Sequence, residues 1–198
     1  MLRYNADIRS LSFIFITIFL LFYLWNFGSE MSTLSWVFLY SWQLLMAVVI
    51  SVITHNHQHL AIWTVKPLNI LTDNTLTLFY GFPVFVWIPT HNSNHHVHIN
   101  KEPDYTKTYM ASEKNNLFTL LTYPAMCATE QLKAIAKYLS QVFTKHRNKF
   151  YLHILQIVVL VSWIVAALIL DWQKALLYVI IPQQVSLFTV LVLSLIHI

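Results

Sequence analysis

Residues 11–27 form an uncharged apolar run of 17 and residues 34–53 another of 20, separated by the polar loop 28–33. A bilayer core of roughly 30 Å needs about 20 helical residues. The second run therefore predicts a spanning helix, and the first becomes one with its polar flanks or some local thinning. Residues 151–170 and 175–192 repeat the arrangement around the turn 171–174, so the pattern predicts two helical hairpins. In the last run Pro182 is followed by Gln183 and Gln184. Polar residues there either line the bundle interior or accompany a kink that neighbouring helices satisfy.

Two segments break this pattern. Residues 68–89 are apolar mainly from 76 to 88 and are interrupted by Asp73, Gly81 and Pro83; a stretch of that kind reads as interfacial or re-entrant. Residues 100–149 are polar and basic with one amphipathic piece, in which Leu132, Ile135, Ala136, Leu139, Val142 and Phe143 recur at helical spacing opposite Lys133, Lys137 and Gln141. That piece predicts a helix lying on the membrane or packed against the rest of the domain, and no chemistry is assigned to it.

Composition agrees with a membrane class: 57 % of residues are hydrophobic and 10 % charged, far from a soluble average. With two glycines and six prolines there is little linker material, and the economical reading is one domain. The net charge of +4 lies in no Lys/Arg run interleaved with aromatics, so nucleic acid is not an expected partner and the membrane surface is. Arg3 and Arg9 precede the first apolar run as in a signal peptide, but the run is long and lacks a small-x-small cleavage site, so it is read as a retained span. With the N-terminus on the cytoplasmic side, 11 of the 12 Lys/Arg residues fall on that side and only Lys174 outside, as the positive-inside rule favours. The sole cysteine, Cys127, excludes an intramolecular disulfide and a Cys-rich zinc site, and is read as a packing residue.

Seven of the ten histidines fall between residues 55 and 98, in two boxes: Thr-His-Asn-His-Gln-His at 54–59 and His-Asn-Ser-Asn-His-His-Val-His at 91–98. Residues four apart share a helix face, so His55 with His59, and His91 with His95, can each converge on a centre. His96 adds a donor roughly 100° round the helix. Imidazole suits iron, copper, zinc and nickel, and spacing does not choose among them. Both boxes on one face would mean that residues 60–90 cross the membrane twice or not at all, and they are too few to cross twice. His57 and His98 point away from the paired faces and stand open between ligands and groups that orient ligands. His146 and His153, away from the boxes, read as interfacial anchors or satisfied hydrogen-bonding groups. Asn100, Glu102 and Asp104 are candidate partners behind the ligands, but the favoured reading is a solvated polar loop.

The order of two spans, His55-x3-His59, an interfacial stretch, His91-x3-His95-His96, a basic segment and two more spans resembles the membrane fatty acid desaturase superfamily over essentially the whole chain. The continuation His98-Ile-Asn100 with Pro103-Asp104 is similar to a pattern in many members. The resemblance implies an all-α integral membrane fold, four transmembrane helices in two hairpins under a cytoplasmic histidine-box cap. It also implies a diiron centre of two non-haem iron ions, ligated by His55, His59, His91, His95 and His96. With O2 and two electrons from a separate ferredoxin- or cytochrome-type donor, that centre would break a C–H bond of an acyl-lipid or acyl-thioester substrate. Related diiron hydroxylases and carotenoid ketolases carry similar boxes. A membrane metal transporter or metal-binding protein is the alternative from another class; it would place ionisable ligands inside its spans, and the first two runs have none. A structural membrane protein without an active site is a third.

One departure from the family matters. A third box, of His-x-x-His-His type, is expected soon after the fourth span and does not occur in residues 1–198. The last six residues, Leu-Ser-Leu-Ile-His-Ile at 193–198, coincide with the in-frame translation of a widely used transposase sequencing adaptor. The expectation is a single native domain over residues 1–192 that continues past about Val192 in its parent, with His197 and its neighbours not native and the 198-residue chain inactive. Genomic sequence across the junction tests this.

Overall fold

The first apolar run folds as α1, Asp7–Phe27, and the second as α2, Thr33–His59. Ser32 starts α2 by accepting a hydrogen bond on its hydroxyl from the Ser35 N–H at 3.2 Å, which satisfies one of the donors a helix leaves open at its N-terminus. The remaining helices are α3 (Lys66–Tyr80), a single turn α4 (His96–His98), α5 (Leu117–Lys145), α6 (Arg147–Leu170), a short α7 (Trp172–Ala175) and α8 (Ile181–Ile196). Two π-helical segments, Ile88–His95 and Leu176–Ile180, lead into α4 and α8. This computed structural model describes residues 1–110, 112–114 and 116–196, so His197 lies outside the described residues. Among them no strand forms; the one β-like contact is an isolated bridge between Leu2 and Trp63.

Four stretches are long and apolar enough to cross a membrane: Asp7–Glu30, Thr33–His59, Arg147–Leu170 and Trp172–Val192. The all-α, four-span expectation holds, and the chain is a multi-pass membrane protein. Large apolar side chains such as Phe15, Phe22, Phe38 and Ile169 stand on the outside of the spanning helices, as lipid as solvent requires and water would not. The interrupted stretch at 68–89 becomes the 15-residue α3 and a short loop. α3 is not among the candidate spans.

The chain divides into two compact units. The first comprises Met1–Val84 and Gln156–Leu187. Its core gathers Leu21, Leu24, Ala167, Ala175, Tyr178 and Val179, with Trp36, Tyr40 and Trp163 packed against them. Main-chain bonds join Arg3 N–H to the Ile62 carbonyl (2.8 Å) and Thr64 N–H to the Met1 carbonyl (3.0 Å), so the start of α1 and the end of α2 lie at the same end of their hairpin.

Pro182 has no N–H for the carbonyls four and five residues before it, those of Tyr178 and Leu177, and unpaired carbonyls are costly in hydrocarbon. Two side chains of α2 supply the missing donors. Gln43 Nε2 donates to the Tyr178 carbonyl at 2.8 Å, and the Tyr40 hydroxyl to that of Leu177 at 3.0 Å. Gln183 donates to the Leu78 carbonyl at 2.7 Å, capping one of the open acceptors at the end of α3. Gly81 ends that helix in a left-handed conformation (φ 84°), and a Cβ there would meet the Gln183 Cβ at 2.6 Å. Of the two glutamines after Pro182, Gln183 therefore has a capping role, while Gln184 is exposed. Gln43→Leu is expected to strand the Tyr178 carbonyl and cost about 1–2 kcal/mol. The check is a lower thermal midpoint in detergent, with Gln184→Leu unchanged.

The second unit comprises Phe85–Leu155 and the part of α8 from Phe188. Asn116 starts α5 by accepting from Thr119 N–H at 2.9 Å. The amphipathic stripe predicted around residues 132–143 is divided by the fold. Ile135 and Val142 are buried, whereas Leu132 and Phe143 are exposed, because the helix presents two adjoining apolar faces. His153 is 5 % exposed, stacks on Phe85 at 4.5 Å and meets the Tyr138 hydroxyl at 3.2 Å through Nε2. It is a hydrogen-bonded core histidine, whereas His146, at the end of α5, is exposed.

Candidate metal centre

α2 runs past its apolar portion and carries the first box on its last turn and a half. His55 and His59, one turn apart, bring their Nε2 atoms to 2.9 Å. His57 faces the other way and is 4 % exposed. Its Nδ1 accepts the Ile62 N–H at 3.1 Å, which leaves the ring proton on Nε2, 3.3 Å from an Asp73 carboxylate oxygen. Gln58 donates to that same oxygen at 2.9 Å. With both nitrogens engaged by protein, His57 positions the end of α2 against α3 and offers no lone pair to a metal.

The second box differs from its predicted geometry. Residues Ile88–His95 wind as a π-helix, in which each turn takes up an extra residue, so residues five apart come onto one face. His91 consequently lies nearer to His96, at 4.5 Å between ring centroids, than to His95, at 5.3 Å. His91 and His96 bring ligand nitrogens within 4.8 Å of each other. The buried Trp87 ring sits edge-on to His91 at 4.8 Å. His98 stands in α4, beyond the pair.

His95 is held separately. Its Nδ1 is 2.8 Å from Asp104 Oδ2 and 2.9 Å from the Thr106 hydroxyl. A carboxylate at that distance fixes the proton on Nδ1 and leaves Nε2 as the available donor, the usual arrangement behind a metal-binding imidazole. Asp104 is 1 % exposed, so the solvated-loop reading fails for this residue. It also accepts from the Asn100 N–H (2.8 Å), the Thr106 N–H (2.8 Å) and the Thr106 hydroxyl (2.9 Å). Burial pushes its carboxyl upward, but the N–H groups of Thr106 and Asn100, the Thr106 hydroxyl and His95 together hold it below the ordinary aspartate value. Glu102, by contrast, is exposed and pairs with Lys107.

The loop that carries Asp104 is tied down on three sides. Asn94, in the π-helix, donates to the Pro103 carbonyl at 2.9 Å and accepts the Tyr105 N–H at 2.7 Å. Tyr123 of α5 donates to the Thr106 carbonyl at 2.7 Å. Asn100 accepts from the Thr108 N–H at 2.8 Å. Ile99 and Asn100 adopt positive φ (39° and 60°). Asparagine tolerates this region, whereas a β-branched isoleucine in it is strained by about 1–2 kcal/mol, and the bonds around Asn100 hold the turn in place. Asn94, Thr106 and Tyr123 lay outside the sequence reading. The only signal for the first was its place inside the box, and the other two carried none.

Paired imidazoles, with one more oriented by a buried carboxylate, fit a transition-metal ion. Comparison with curated proteins and with solved structures finds no match. A family model, fatty acid desaturase, matches residues 32–197 and so takes in both boxes and the helices that carry them. On that match, the chain belongs to the fatty acid desaturase family.

Proposed function

We propose that this chain is the histidine-box domain of a membrane-bound desaturase that uses O2 and two electrons to introduce a double bond into an acyl chain. What carries the reading is the pairing of imidazoles at the end of α2 and along the π-helical turn in a chain of this family. His55, His59, His91, His95 and His96 would hold a dinuclear non-haem iron centre, which when bound supplies the oxidising power that no side chain has. Asp104 holds the His95 proton on Nδ1, His57 fixes the end of α2 through Asp73, and Asn100 shapes the turn beneath Asp104. His98 has no ligand role in this reading. The N-terminus and both boxes face the cytoplasm, where a separate ferredoxin- or cytochrome-type donor delivers the electrons. The substrate is an acyl-lipid or acyl-thioester.

Five imidazoles fill only part of two iron shells, and residues 1–198 have no third box. The proposal therefore assigns turnover to a parent that also carries that box. The test is to express the parent and the 198-residue chain in a host lacking the activity, and to measure iron per chain and the acyl products. Expected are about two irons per parent chain, a double bond formed only with O2, and no product from the 198-residue chain. A hydroxylated or ketolated product, or a parent without iron, would overturn the reading.

A further inference from the structure

The exposed side of α5 has a pattern that the metal centre does not use. Leu117, Leu121, Ala125, Ala128 and Leu132 recur three or four residues apart along the helix, and the row ends where it reaches the buried Ile135. Leu117, Leu121 and Leu132 are 68 %, 60 % and 56 % exposed. Residues at that spacing form one stripe. Tyr123, Cys127, Ala134, Ile135 and Val142 are buried in the unit, so from Leu117 to Leu132 the exposed stripe is additional to the packing surface. Contiguous apolar surface of this extent marks an interaction site.

Two further observations identify what covers it. From residue 117 to residue 149 there are five basic side chains, Lys133, Lys137, Lys145, Arg147 and Lys149, against a single acidic one, Glu130. All five are exposed. Arg147 also begins α6, a helix long and apolar enough to span a membrane, and it follows the last residue of α5 by two positions. The C-terminal end of α5 is thus fixed where the chain enters the bilayer. A long helix with an apolar stripe, a basic flank and one end at the membrane boundary has the character of an interfacial helix, and its charge matches anionic headgroups.

We propose that α5 is a lipid-binding surface whose exposed stripe is seated in the headgroup region of an anionic bilayer. The inference does not depend on the metal reading, and its test does not use activity. Cys127 is buried, and burial pushes its thiol up to about 11, so at neutral pH it is a poor target for thiol reagents and introduced cysteines label selectively. Nitroxide labels are placed on Leu121→Cys, Ala128→Cys and Leu132→Cys in the stripe, and on Lys133→Cys and Lys137→Cys on the flank. Each full-length variant is reconstituted in phosphatidylcholine vesicles with and without phosphatidylglycerol. In the anionic vesicles the stripe labels are expected to relax with oxygen and to resist a water-soluble nickel complex, and the flank labels to do the reverse. Without phosphatidylglycerol the stripe labels are expected to become more open to nickel. Stripe labels as open to nickel as the flank would overturn the proposal. So would stripe labels shielded from both reagents, which would mean a protein partner or a second copy, or an identical response in the two lipids.

Discussion

Replacing either His91 or His96 by alanine is expected to remove bound iron from the parent enzyme and with it the acyl product. The loss should exceed the roughly 10–100-fold typical of residues that merely orient ligands, because each substitution deletes a donor from the pair that the π-helical winding brings together. His98→Ala, two positions further on in α4, is the control and is expected to retain most of the iron. Iron per chain by elemental analysis and the acyl profile of the host membranes are the two readouts. A His98→Ala loss equal to that of His96→Ala would mean that His98 is itself a ligand.

The second large effect is expected at Asp104. Asp104→Ala leaves two main-chain N–H groups, the Thr106 hydroxyl and the His95 Nδ1 proton without their shared acceptor. Removing one member of such a buried set costs about 3–5 kcal/mol. Asp104→Asn keeps the volume but can accept through one oxygen only, so it should fold better than the alanine variant and still lower iron affinity about 10–100-fold. Thermal unfolding in detergent separates these two expectations from iron content. If both variants lose iron only in proportion to their loss of folded protein, Asp104 has a structural role alone.

The helices were legible in the sequence because spanning segments are set by long uncharged runs, and the polar turns at 28–33 and 171–174 leave few alternatives. The first box was equally legible. His55 and His59 sit on a continuation of α2, and ordinary helical spacing places them together. The winding of the second box was not legible, because periodicity arguments assume 3.6 residues per turn and nothing in Ile-Pro-Thr-His-Asn-Ser-Asn-His announces a π-helix. Asp104 was misjudged for a different reason. Its neighbours Lys101, Glu102 and Lys107 make the segment look solvated, whereas its burial comes from contacts with Asn94 and Tyr123 by way of Tyr105 and Thr106, and local composition does not reveal those. His57 was left open by its position, and only the Ile62 N–H and Asp73, neither of them in the box, decide it.

The caps on the Leu177 and Tyr178 carbonyls also constrain how the protein is made. An isolated α8 with its π-helical lead-in would carry two acceptors into hydrocarbon without donors, at a cost of several kcal/mol each. Both donors, Tyr40 and Gln43, belong to α2, which is synthesised more than a hundred residues earlier. The C-terminal span thus completes its hydrogen bonding against α2, a partner that synthesis supplies before it.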